Sequence, residues 1–212
     1  MNDEKKGFCS DLSLLALIFS NLAVIIWALI EGWSLGVLMW VYWSQSVNIG
    51  IFWFFKILSL KEFSTEGFKI NNRSVEPTVH TKKQTAVFFL IHYGFFHLIY
   101  SVFLGGMFKS VKLVPIFLMA GVFFAYQCFS FFYNRKWENK QKPNIGTMMF
   151  FPYARIIPMH ITIILGGFLS GGMSGTLDEA FVKRVPLAVF MLLKTGADVF
   201  MHIREKKGFG GR

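Results

Sequence analysis

The sequence predicts an all-α fold, a six-span transmembrane helical bundle, on three observations. Hydrophobic residues make up 54% of the 212 and charged residues 16%, whereas soluble domains carry about 25% charged residues. The apolar residues gather in six blocks, each near the roughly 20 residues that cross a bilayer. The basic residues sit in alternate connections between those blocks, the pattern that orients a polytopic chain.

The blocks fall at about 12–31, 34–58, 85–107, 112–133, 147–171 and 185–203. Asp11 is placed to cap the first, because its carboxylate can accept from the free amides of a helix start. The run before it, MNDEKKGFCSD, precedes an apolar stretch too long for a signal-peptide core, so the first span is expected as a retained anchor. Glu31-Gly32-Trp33-Ser34 reads as a tight turn into the second span, with Trp33 suited to the interface. The second span runs into a polar segment, residues 59–84, expected as a cytoplasmic loop with turns at Asn71-Asn72 and Pro77. RKWENKQKPN forms the other polar loop. In the fifth block, FFPYARIIPMH, Pro152 and Pro158 leave the carbonyls of Met148 and Ala154 without their helical donors. Either the span is one kinked helix, or residues 146–154 lie flat on the inner surface.

Lys and Arg in the N-terminal flank, the second and fourth connections and the tail number sixteen, against four in the remaining connections (Lys109, Lys112, Lys183 and Arg184). Both termini are therefore expected in the cytoplasm, in a cell inner membrane, with the lipid bilayer as the partner. The formal charge of +10 invites nucleic acid, but no basic patch forms on one face, and that class is excluded. Cys9 and Cys128 make no CxxC and no disulfide framework.

Ionisable residues inside spans are costly and mark functional candidates. In LKTGADVFMHIRE, Lys194, Asp198 and His202 are spaced four apart and share one helical stripe. At about 1.5 Å per residue, Asp198 lies ~9 Å, His92 ~10 Å, Arg155 ~14 Å, Lys194 ~15 Å, His97 ~18 Å and His160 ~21 Å from the cytoplasmic edge. Gln45 and Asn48 fall in the same half. The economical arrangement is a polar cluster facing the bundle interior or a pocket open to the cytoplasm, with Asp198 paired to Lys194 one turn away and to Arg155 or His92 across helices. Two cations to one carboxylate, with histidines neutral, lean the cluster cationic, which suits an anionic lipid or solute. Arg155, Lys194, Asp198, His92, His97, His160, Gln45 and Asn48 are the candidate ligand-binding residues. The leading expectation is a non-enzymatic protein that binds or moves an anionic solute or lipid; six spans are few for a transporter, so transport would call for a homodimer. A packing network that only fixes helix register, in a structural or partner-binding subunit, is the bland alternative.

No cofactor or metal is expected. His92 and His97 stand about 140° apart around a helix, too far to share one ion. His97 and His160 at similar depth are the minimum for a bis-His haem, with no further haem signal. An intramembrane enzyme on His97, His160 and Asp198 is the other alternative. Gly172-Met173-Ser174-Gly175 matches the G-x-S-G form of intramembrane rhomboid proteases. Ser174 and His202, however, belong to opposite sides of the membrane, about 30 Å apart, beyond hydrogen-bond reach. A rhomboid-like six-helix arrangement without that catalytic pair stays open.

The motif LKTGADVFMHIRE, roughly K-T-x-x-D-x-x-x-H, resembles the closing signature of an uncharacterised polytopic membrane family found in prokaryotes. The opening hairpin, ALIFSNLAVIIWALIEGWSLGVLMWVYWSQSVNIGIFWFFKIL, and FFPYARIIPMH are similar to that family's corresponding segments. The resemblance implies attention to Trp40, Tyr42, Trp43, Gln45, His92, His97, Arg155, His160, Lys194, Asp198 and His202, and assigns none of them a catalytic role.

Overall fold

Residues 34–138, 142–167 and 179–206 are described by a computed structural model. The expected first span, its Asp11 cap and the Gly172–Gly175 motif lie outside these residues. The chain is mostly helical, in the order α1 (Leu35–Ser59), β1 (Lys69–Ile70), β2 (Arg73–Ser74), α2 (Val79–Met107), α3 (Leu113–Glu138), α4 (Ile145–Phe150), a 3-10 segment (Phe151–Arg155), α5 (Ile156–Gly167) and α6 (Glu179–Lys206). Its described residues divide into two units, one holding residues 34–38 and those of 154–207, the other those of 39–153.

Each expected block is helical where it is described; α2 runs past its apolar block at the start, α3 at the end and α6 at both ends. The expected block 85–107 begins instead at Val79, because Thr78, behind Pro77, is the N-cap: its Oγ1 accepts from the Thr81 amide at 3.2 Å. A polar first turn can hydrogen-bond helically outside an apolar zone, so hydropathy marks the zone and the cap marks the helix. Ser34 opens α1 similarly, its Oγ accepting from the Val37 amide at 3.4 Å. Residues 59–84 are therefore not all loop, and they hold the one departure from all-α among the described residues. A two-stranded antiparallel ribbon pairs Lys69 with Ser74 and Ile70 with Arg73. Its turn is Asn71-Asn72, at φ 50° and 61°, the left-handed pair that two-residue hairpins require and Asn tolerates.

In the 39–153 unit this loop is tied down. Ser64 bridges Asn144 through Ser64 N to Pro143 O (2.9 Å) and Ile145 N to Ser64 O (3.0 Å). Asn144 also donates Nδ2 to Glu66 O at 2.8 Å and accepts from Thr147 N at 3.0 Å, capping α4. A Cβ on Gly146 would stand 2.7 Å from the Phe68 ring, so glycine is what lets the loop close on α4. Between α1 and α2, Gly50 plays the equivalent part. A Cβ there would lie 2.6 Å from Tyr93 Cε1, and Tyr93, lying across the glycine, donates its hydroxyl to Ser46 O at 3.2 Å. Phe52 meets Phe124 and Phe131 of α3, and Asn48 Nδ2 reaches Ala120 O at 3.4 Å.

The outward face of α2 is apolar as well as the inward one. Phe89, Tyr93, His97, Tyr100 and Leu104 are buried, while Phe88, Ile91, Phe95, Leu98 and Val102, at alternating three- and four-residue spacing, are 51–69% exposed. α3 likewise exposes Val114, Phe117, Leu118, Val122, Phe129 and Phe132. Leaving these five half- to two-thirds-exposed side chains in water forgoes roughly 6 kcal/mol, at about 2 for each fully exposed one. Among the described residues, Val79–Met107 and Ile145–Leu165 are long and apolar enough to cross a membrane, and Leu113–Phe129 is a shorter apolar run. A count of six spans goes beyond these helices.

Candidate functional site

The 154–207 unit brings together three of the candidate residues. Asp198 and Lys194 stand one turn apart on α6, the spacing that puts side chains on one face. Lys194 Nζ donates to Asp198 Oδ2 at 2.8 Å, and Arg155, from the end of the 3-10 segment, donates Nη1 to Asp198 Oδ1 at 2.7 Å. Each carboxylate oxygen thus holds one cation. The three side chains are only 7% (Arg155), 10% (Asp198) and 15% (Lys194) exposed. Charges taken from water this far are held by their partners, because an isolated one would cost several kcal/mol. His202 continues the stripe on the α6 backbone; its side chain lies outside the described residues.

Arg155 is delivered by a broken helix. α4 closes with Phe151 N on Thr147 O. The next donor is missing because residue 152 is proline, and the chain tightens into the 3-10 segment instead. The orphaned Met148 carbonyl is met by Trp53, whose indole Nε1 donates to it at 2.7 Å while its ring stacks on Phe151 at 5.2 Å. Lys56 Nζ sits 4.8 Å over the same indole. Pro158 falls in the first turn of α5, where a missing N–H costs least. The expected interruption therefore takes the form of helix, 3-10 turn and helix.

The other candidates each have their own surroundings. In the 39–153 unit, His97 is buried and its Nδ1 faces Tyr93 O at 2.9 Å. A carbonyl only accepts, so Nδ1 carries the proton. Trp43 Nε1 donates to His97 O at 2.8 Å, fastening α1 to α2. His92 is exposed, with Nδ1 2.7 Å from the Tyr153 hydroxyl. Asn48 is spent on Ala120 O, and Gln45 is half-buried on α1. In the 154–207 unit, His160 lies exposed on α5. The residues that reading by depth overlooked are Trp53, Tyr153 and Gly50. Pro152 signals that Met148 O needs a donor, but nothing local says which one.

Among the described residues no group of three or more His, Cys, Asp or Glu could hold a metal ion, and Cys128 is a free thiol. Chemically, the triad can clamp helices together or meet an anion with two cations.

A family model described as "Family of unknown function (DUF6498)" matches residues 4–211. This agrees with the resemblance to an uncharacterised family. No curated protein and no solved structure matches the chain.

Proposed function

The chain belongs to the family of unknown function DUF6498, and from that premise we propose a six-span, non-enzymatic inner-membrane protein with both termini cytoplasmic. In it the Arg155–Asp198–Lys194 triad locks the broken fifth segment to the last helix, as in a structural or partner-binding membrane subunit. One observation carries this reading: Asp198 commits both carboxylate oxygens to cations of its own chain, at 2.7 and 2.8 Å, in a nearly dry setting. A capture site holds its cations open to the ligand; a lock turns them on a fixed partner. The apolar outward stripe of α2 supports immersion in lipid, and the sixteen-to-four distribution of basic residues supports the orientation. Fusions of a cytoplasm-active and a periplasm-active reporter at each connection test the topology. A periplasmic signal from residues 59–84 rejects it.

A second reading is favoured by the composition of the triad, two cations gathered on one carboxylate. An anionic lipid or solute reaching the cluster would be attracted by both, with His160 of the same unit as a further candidate contact. A homodimer would supply the spans a transporter needs. Native mass spectrometry of protein carrying Arg155→Gln and Lys194→Gln decides this. Loss of retained anionic lipid supports the reading, and unchanged lipid content rejects it.

A further inference from the structure

His92 is a polar side chain in an apolar place. It is exposed on α2 beside the outward stripe, between Phe88 one turn before it and Phe95 and Phe96 one turn after. Its Nδ1 is anchored on the Tyr153 hydroxyl at 2.7 Å. Phe88 stacks on the imidazole (5.2 Å, 13°) and Phe96 meets it edge-on (5.2 Å, 89°), fixing the ring plane. Tyr153 is held in turn, edge-on to Tyr93 at 5.5 Å and beside Phe150 at 6.0 Å. Phe88, Phe95 and Phe150 are each about half exposed or more, at 51%, 57% and 62%.

We propose that His92 and Tyr153 form a lipid-accessible binding site for a planar, lipid-soluble carbonyl compound of the quinone class. The proposal rests on the membrane reading above. At ~10 Å inside the apolar zone, phosphate headgroups do not reach His92, so the occupant dissolves in the hydrocarbon. The exposed aromatic rings offer stacking faces to a flat ring. The imidazole offers a hydrogen bond of either sense. When Nδ1 accepts from Tyr153, Nε2–H donates to a quinone carbonyl; when Nδ1–H donates to Tyr153, Nε2 accepts from a quinol hydroxyl. The same pair thus meets both forms of the ligand without changing charge.

The test uses the full chain in phosphatidylethanolamine–phosphatidylglycerol nanodiscs, titrated with a decyl-substituted benzoquinone and followed by tryptophan quenching. His92→Leu should weaken binding about tenfold, the loss of one hydrogen bond in an apolar setting. Tyr153→Phe, which keeps the ring and frees the imidazole, should weaken it about threefold. Phe132→Leu, on α3, should leave it unchanged. Equal affinity in all three variants, displacement by decylcyclohexane, or no saturable quenching would overturn the site. Failure of the membrane reading is scored separately, by release of the protein from membranes in alkaline carbonate.

Discussion

Asp198→Asn preserves the shape of the side chain and removes the charge that two buried cations share. The magnitude follows from the geometry. Arg155 and Lys194 are 7% and 15% exposed and bonded to opposite oxygens at 2.7 and 2.8 Å, so neither cation can turn to water without unpacking its helix. Removing one partner of a buried ion pair costs about 3–5 kcal/mol, most of it the penalty on the charge left behind. At roughly 2–4 °C per kcal/mol for a chain of this length, the melting midpoint should fall by on the order of 10 °C. The assay is thermal unfolding of the purified protein in mild detergent, followed by intrinsic fluorescence. The companion variant replaces Arg155 and Lys194 with Met and Asp198 with Leu. Because desolvation is then avoided altogether, it should melt near the wild type or above it. A wild-type midpoint for Asp198→Asn, or a triple variant as unstable as the single one, would refute the lock.

Trp53→Phe keeps a ring on Phe151 but leaves Met148 O without its donor, and should cost about 1–3 kcal/mol in the same melt. Gly50→Ala drives a methyl into the Tyr93 ring, where 2.6 Å is available; a loss of about 1–3 kcal/mol is expected, with recovery when Tyr93→Leu is added. Thr78→Ala removes the α2 cap and should cost about 1 kcal/mol, with faster amide exchange confined to residues 79–83.

What was legible in the sequence was whatever depends on neighbours along a helix. The apolar blocks gave the helices, and the four-residue spacing of Lys194 and Asp198 gave their pairing. The cross-helix partner of Asp198 was only narrowed to Arg155 or His92 by depth, and the structure pairs it with Arg155. The Asn71-Asn72 turn followed from backbone preference alone. What stayed hidden depends on distant partners. Trp53 meets Met148 across 95 residues, His92 meets Tyr153 across 61, and Tyr93 reaches Ser46 across 47. Pro152 announces an unmet carbonyl but not the indole that meets it, and Gly50 does not announce the ring that needs its space. Depth along a helix also says nothing of azimuth. Placing His92 and His97 near the triad by depth could not reveal that one is exposed and the other faces Tyr93 O.

The membrane reading requires the outward stripe of α2 to lie in lipid. The direct measurement places single nitroxide labels at Phe88, Ile91, Phe95, Leu98 and Val102, with Cys9 and Cys128 replaced by Ser, in reconstituted protein. Spin-relaxation enhancement is then compared for molecular oxygen, which concentrates in acyl chains, and a water-soluble nickel chelate. Immersion in lipid predicts strong oxygen and weak nickel relaxation at all five positions. Nickel relaxation at these positions equal to that of a label at Asn72 would contradict it.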